Sequence, residues 1–519
     1  KVNTMNQQDE GNDFENNIFK PENYYIPYAN IAKHLKRYSF DEKMRITQKY
    51  SRMTIDCSGN LKKDEINRLV YPWELETFLM LAISTYPEYK KGNLIDRNEK
   101  YFIKMINGIR EYQSPKLEKY KGSLDFVEYF MTATGLTQFD IQEDKIYKLF
   151  RYSFIFNFSN DYIDMKSEFY KFYGTNYQEF ISLGLFLTLM YGSNFTFDSN
   201  LLDCLIGNLY KKAASTLVID VEQFKRELDI IATNVEDYIT CLRPSYKYPF
   251  IKKSSTIYLP LPHLIQRAIT SSLLFRITEN NNSLRDKFGK EILEDYLLTI
   301  LSESKVYDEI HGEKTFKMER HNIAKTLDVM VREGDEYIML DSKASVPSIG
   351  LRVYDELSHV KEINKMVDKI IQIYRHLKWY LPKYPTYNPY KNNPKISPHH
   401  LWGISVVLED SYLMREKIYD EAAKKIGIKK ETDEYIWMVT HIKIISLYEI
   451  ERIALEGKSL SYGLKIQIEK GGPYDFPLSN YDDNEQKEQI NETFISFKEE
   501  LRMNFLETAR KLKDAGVLK

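Results

Sequence analysis

Two acidic residues and a lysine, Asp328, Asp341 and Lys343, carry the most concentrated chemistry in this 519-residue chain. Between the acids run Val329-Met330-Val331, the polar stretch Arg332-Glu333-Gly334-Asp335, and Glu336-Tyr337-Ile338-Met339-Leu340. Two β-branched and apolar runs around a glycine-containing turn predict a β-hairpin. With Gly334-Asp335 as a two-residue loop, Asp328 stands opposite Asp341. With 332–335 as a four-residue loop, Asp328 stands opposite Met339 and Asp341 becomes its diagonal neighbour on the same face. Either register gathers the two carboxylates, and side-chain alternation puts Lys343 on the face of Asp341.

Adjacent carboxylates on a mostly apolar sheet repel one another and lose hydration, so they call for a proton, a cation or a strand end open to solvent. A hard divalent cation meets that need. Mg²⁺ takes oxygen ligands and keeps several waters, which suits two or three carboxylates with room for a phosphate oxygen. The chemistry so predicted is metal-assisted phosphodiester hydrolysis, with Lys343 orienting the attacking water or offsetting developing charge. Acid-x-Lys triplets alone are cheap: Asp41-Glu42-Lys43, Asp164-Met165-Lys166 and Glu303-Ser304-Lys305 also occur in this chain. None of those closes a hairpin that carries a second acid. A surface ion-pair cluster at a strand end is the plain alternative.

The elements around the hairpin must position this set. Upstream, 288–301 repeats its apolar residues at helical spacing. Leu293, Tyr296, Leu297, Ile300 and Leu301 share one arc, Glu294 falls inside it, and Lys290 does too. Glu291 and Asp295 project from the polar side. A carboxylate inside a buried arc needs a partner, and a metal or its water is one candidate; a side chain whose head escapes to solvent is the other. Downstream, 351–378 reads as one long amphipathic helix, 401–408 as a buried strand, 411–426 as a helix, and 435–440 as a further apolar run followed by 442–451.

This order resembles the restriction-endonuclease-like PD-(D/E)XK superfamily over residues 245–465. An acid on a helix (Glu294) precedes an acid on a strand (Asp328), and a strand ending in acid-x-Lys (Asp341-Ser342-Lys343) follows. The resemblance implies an αβββαβ core. It implies that Asp328, Asp341 and Glu294 bind one or two Mg²⁺ or Mn²⁺ ions, and that Lys343 positions or activates the attacking water. It favours DNA over RNA as the nucleic acid and, by analogy, a restriction or antiphage role. Two departures stand out. Leu327 rather than proline precedes Asp328, and Gln372 is followed four residues later by His376, so the Gln-x-x-x-Tyr signature of one branch is missing. Two further classes fit the chain: a binding or assembly protein with an inactive nuclease fold, and a ribonuclease triggered by a protein partner.

Length allows two to four domains. The expected organisation is a disordered segment 1–20, an α-helical domain 21–245, a nuclease domain 246–470 and a C-terminal helical segment 471–519. The border falls in the proline-rich stretch 242–262, with 250–260 as an extended lead into a helix near His263. Helices are predicted over 73–85, 99–112, 124–134, 146–156, 177–191, 199–212 and 221–232. The aromatic residues of 147–173 read as core, with base stacking as the other option. A charged amphipathic helix over 485–514, striped by Ile490, Phe494, Phe497, Leu501, Phe505 and Leu512, caps the helical half or mediates self-association.

Composition narrows the classes. With 73 basic and 75 acidic residues the chain is no polycation, so any nucleic-acid contact rests on local patches such as Lys252-Lys253, Lys391, Lys395 and Lys429-Lys430. Cys57, Cys204 and Cys241 are too few and too scattered for a disulfide framework, which points to a reducing, cytoplasmic setting. The most apolar run, 180–191, is too short to span a bilayer. His399-His400 lacks Cys or His partners at ligand spacing, and Pro382 to Pro398 is a long excursion expected beside the site or a partner. No Gly-x-x-x-x-Gly-Lys-Ser/Thr loop is present, so a nucleotide-driven motor would be a separate subunit.

Overall fold

A computed structural model describes residues 24–55, 70–87, 99–192, 209–232, 234–278, 284, 287–319, 322–390, 395–472, 474 and 491–516. The segment 1–20, Cys57, Cys204, Lys391, Ile490 and most of the helix expected over 199–212 lie outside them.

The strands are β1 (Val218–Asp220), β2 (Phe250–Lys253), β3 (Thr256–Tyr258), β4 (Glu309–Gly312), β5 (Thr315–Lys317), β6 (Ile323–Lys325), β7 (Val329–Glu333), β8 (Glu336–Lys343), β9 (Leu401–Val407) and β10 (Ile442–Ser446). They form three sheets, β1-β2-β3, β5-β6 and a central mixed sheet in the order β10-β9-β8-β7-β4. In the central sheet the pairs β4–β7 and β7–β8 are antiparallel, whereas β8–β9 and β9–β10 are parallel. The architecture is therefore mixed α and β, with a helix-rich N-terminal region.

Helices cover both faces of the central sheet, which is why β9 and β10 are buried at every residue and read as continuous apolar runs. Side-chain alternation divides the two cores. Val329, Val331, Ile338 and Leu340 pack with Tyr296, Leu297, Ile300 and Leu301 of the helix Glu294–Glu303. Met330 and Met339 face the other way, toward Val367, Ile370 and Ile371 of the helix Glu356–Arg375. That helix comes so close to β9 that a Cβ on Gly403 would meet Ile373 Cγ2 at 2.3 Å and Leu377 Cδ1 at 2.7 Å. A Cβ there would force Ile373 and Leu377 to shift.

Six of the helices predicted in the N-terminal half are present: Pro72–Ser84, Glu99–Arg110, Leu124–Gln142, Lys145–Asn157, Tyr177–Gly192 and Val221–Ile231. The helices Tyr28–Leu35, Phe40–Thr54 and Met165–Tyr173 and the strand β1 were not anticipated. β1 pairs in parallel with β2, Val218 opposite Phe250, so hydrogen bonding bridges the segment where the domain border was expected. The extended lead 250–260 is the β2–β3 hairpin, and a short helix, Leu264–Ala268, follows His263.

Three local expectations need correction. The apolar run 435–440, which related nucleases would use as a strand, is part of the helix Asp433–His441, whose N-cap Thr432 accepts from Tyr435 N. A short apolar run does not reveal its own period, and here the cap and the acidic first turn decide. The helix expected over 351–378 is broken: Asp355 caps a new start by accepting from Ser358 N at 2.9 Å, and His376–Tyr380 widens into a π-helix. Lys290 is exposed rather than within the apolar arc. Phe288–Leu293 is π-helical, so each residue advances by less than 100° and the projected arc shifts in phase.

The C-terminal helix Glu492–Asp514 lies against Tyr177–Gly192 and the largest core. Phe494 stacks near Tyr147 and Phe150, and Lys511 pairs with Glu179 at 3.1 Å. It caps the helical half. The aromatics of 147–173 are mostly core: Tyr147, Phe150, Tyr152, Phe156, Phe169 and Tyr173 are buried, while Tyr162 and Tyr170 are exposed. Arg151 is buried as well, joined to Glu451 by two hydrogen bonds of 2.6 and 2.7 Å. Among the described residues no helix is long and apolar enough to cross a membrane.

Candidate active site

The site begins with the turn between β7 and β8. Gly334 adopts φ +60°, a left-handed conformation that glycine enters without steric cost, and the reversal closes with Glu333 opposite Glu336. Val329 then pairs with Leu340, and continuing that register places Asp328 opposite Asp341. This is the two-residue-loop alternative. Asp328 itself sits in a bend just before β7.

Ser342 holds Asp328. Its backbone N–H donates to Asp328 Oδ2 at 2.6 Å and its hydroxyl to the same oxygen at 2.8 Å. Burial pushes the Asp328 carboxyl up to about 6, and the charge of Asp341 adds to the rise while the two Ser342 bonds oppose it. Glu294 is half-buried at the junction where the π-turn hands over to the α-helix. Desolvation raises it to about 7, with further contributions from Asp328, Glu313 and Asp341 and a counteracting one from Lys325. The three acids predicted from the sequence therefore share one electrostatic environment. Among the described residues, however, no group of three or more His, Cys, Asp or Glu side chains is gathered closely enough to hold a metal ion.

Asp341 is buried at the end of β8 on the face covered by the helix Glu356–Arg375. Two residues of that helix reach it. Lys369 Nζ donates to Asp341 Oδ2 at 2.7 Å, and Gln372 Nε2 donates to Oδ1 at 3.3 Å. Lys369 also donates to Gln372 Oε1 at 2.7 Å, closing a triangle. Burial lowers the Lys369 pKa, Asp341 opposes the fall, and the like charge of Lys343 adds to it. Lys343 is exposed at the last position of β8. Lys369, buried and bonded to Asp341, thus lies within electrostatic reach of the solvent-exposed Lys343.

Lys369 and Ser342 were not singled out from the sequence. Ser342 is the unspecified middle of the acid-x-Lys triplet, and nothing marks a serine there as the partner of an acid fourteen residues earlier. Lys369 and Gln372 lie three apart on one helix, a spacing that puts them on one face, and that was the available signal. Gln372 was noted only as half of an incomplete signature, yet it contacts the second acid.

The remaining candidates are placed elsewhere. His400 Nδ1 lies 2.9 Å from Glu336 Oε1, so the His399-His400 pair is tied to the start of β8. Lys430 is engaged with Glu416 and Asp420. Tyr387, buried within the 382–398 excursion, lies 2.9 Å from His376 Nδ1, one turn beyond Gln372. Cys241 is buried and free.

No family model matches the chain, and no curated protein or solved structure matches it.

Proposed function

We propose that this protein is a nuclease of the restriction-endonuclease-like type that hydrolyses phosphodiesters of DNA with Mg²⁺ or Mn²⁺. The observation that carries the reading is the pairing of Asp328 with Asp341 across the hairpin, with Glu294 near enough for each to raise its pKa. The donor chemistry suits a hard divalent ion, since all three groups offer carboxylate oxygens, and holding it would require them to draw closer together than they stand. Asp328, Asp341 and Glu294 would hold it. The bound ion would supply Lewis-acid polarisation of the scissile phosphate and a more acidic water.

The chain's own residues do the rest. Ser342 fixes the orientation of Asp328. Lys369 and Gln372 fix that of Asp341. Lys343, free of burial at the strand end, reaches the substrate side, where it orients the nucleophile or offsets charge on the phosphate. A restriction or antiphage role is the biological setting proposed.

One observation favours a second reading. Both Asp341 oxygens already have partners in Lys369 and Gln372, an arrangement that a purely structural polar cluster would also show. Under that reading the fold is an inactive binding or assembly module, or a ribonuclease completed by a partner. Incubating supercoiled plasmid, linear DNA, single-stranded DNA and RNA with Mg²⁺ or Mn²⁺ separates these readings. DNA cutting abolished by Asp341→Ala and by Lys343→Ala establishes the nuclease; RNA cutting alone favours the ribonuclease; no cutting of any substrate by the wild type favours the inactive module.

A further inference from the structure

A cavity of 490 Å³ opens between the segment 242–248, Arg267 and the loop that leaves β8. None of its lining residues belongs to the carboxylate cluster. Its walls carry Arg243, Arg267 and Arg352, only 1%, 9% and 6% exposed, together with Lys247, against two carboxylates, Glu227 and Glu409. The guanidinium groups are differently committed. Arg243 lies 3.2 Å from Glu76 and also donates to Tyr246 Oη at 2.7 Å and Ile239 O at 2.9 Å. Arg267 lies over the Tyr246 ring, 3.6 Å from its centroid. Arg352 donates to Leu136 O at 2.7 Å and forms no ion pair among the described residues.

A buried guanidinium that forms no ion pair, beside two others and with Glu409 as the nearby carboxylate, is an expensive arrangement unless a further anion offsets it. Burial, with the charges of Arg267 and Arg243, depresses the Arg352 pKa, although Tyr246 and Glu409 oppose the fall. Guanidinium forks match the oxygens of a phosphate. The wall also carries the apolar Leu242, Pro244 and Tyr248 beside Ser271 and Ser272, with Ile230 and Ile349, 82% and 54% exposed, on its open side. Its volume lies in the range of small-ligand sites, about 300–1,000 Å³.

We propose that this cavity binds a phosphate ester of nucleotide size, with its phosphate on Arg352 and Arg267 and its base against the apolar part of the wall. The ligand is either a free nucleotide or the phosphorylated end of a nucleic-acid strand. The binding does not depend on the hydrolytic reading. It is nonetheless connected to that site through a short segment, because Arg352 lies three residues before Asp355, the cap of the helix that carries Lys369.

Calorimetric titration of the full chain tests this, using inorganic phosphate, AMP, adenosine, and an oligonucleotide with and without a 5′-phosphate. AMP should bind about tenfold or more tightly than adenosine, the difference expected for a charge-assisted phosphate contact. Arg352→Gln, and Ile349→Glu on the open side, should each weaken AMP by about tenfold or more. If Arg352→Gln does not fold, Ile349→Glu decides alone, because Ile349 is exposed. Displacement of AMP by the phosphorylated oligonucleotide alone identifies a strand end, and AMP binding without such displacement identifies a free nucleotide. No binding of phosphate, AMP or the phosphorylated oligonucleotide at millimolar concentration overturns the proposal, as does AMP affinity unchanged by the folded variants.

Discussion

Ser342 donates to Asp328 twice, through its backbone N–H at 2.6 Å and its hydroxyl at 2.8 Å, so the residue between the second acid and the lysine fixes the first acid. A bend residue before β7 and the penultimate residue of β8 are thereby joined at the end of the sheet. The two bonds oppose the rise that burial and Asp341 impose on the Asp328 carboxyl.

Removing the hydroxyl should show this directly. Ser342→Ala leaves the backbone bond and deletes the other, so the Asp328 pKa should move above about 6. Stability should fall by about 1 kcal/mol, the usual worth of one such bond. Carboxyl-carbon NMR titration reads the first effect and urea denaturation the second; an unmoved Asp328 titration would sink the assignment.

Asp341 and Asp328 should respond in opposite ways to neutralisation. Asp341→Ala strands the Lys369 ammonium, whose side chain is only 13% exposed, and should destabilise the fold by about 1–3 kcal/mol. Adding Lys369→Met should recover part of that loss, a coupling visible in a double-mutant cycle. Asp328→Asn removes a repelling charge while keeping an acceptor for Ser342, so stability should hold or rise. Both acid substitutions should abolish metal-dependent cleavage. A functional site is recognised by this separation of stability from activity.

The pH dependence follows from the sign of the shifts. Folded Asp328 and Glu294 titrate at about 6 and about 7, above their ordinary values of 3.8 and 4.5. The folded state therefore holds these protons more tightly than the unfolded chain. Stability from this pair falls as pH rises from the unfolded values through the folded ones, and because Glu294 is only half ionised at about pH 7 the loss is complete only well above that. Metal binding competes with the same protons and should strengthen over that window. Melting temperatures of wild type and of the Glu294→Gln, Asp328→Asn double variant, measured from pH 5 to 8.5 with chelator or with Mg²⁺, check both statements. The wild-type deficit at high pH should vanish with Mg²⁺ and be absent from the variant.

The buried Arg151–Glu451 pair should behave as structure. Tyr296, from the helix that carries Glu294, also donates to Glu451 Oε1 at 2.8 Å, so the pair anchors that helix to the one at Leu447–Leu455. Glu451→Ala leaves an uncompensated buried guanidinium and should cost about 3–5 kcal/mol. Chemical denaturation reads the loss. An Arg151→Met, Glu451→Leu double replacement should cost less than either single change.

The hairpin, its turn and the pairing of its two acids were legible in the sequence because a strand's period of two and a glycine turn are local properties. The placement of Glu294 near them was legible only as an odd carboxylate in an apolar arc, and the π-turn at Phe288–Leu293 that sets its angle left no mark in the periodicity. Boundaries failed where local signals compete. The apolar run 435–440 became helix through its Thr432 cap, and the long helix after β8 broke at Asp355 through another cap. Residue types alone thus determined that two carboxylates and a lysine meet at a strand end. Tertiary structure decided what surrounds them: which helix lies on that face, that it offers Lys369 and Gln372 to Asp341, and that the loop beyond β8 brings Arg352 beside Arg243 and Arg267. Those contacts join residues far apart in the chain, and their geometry depends on packing that no short stretch of sequence encodes.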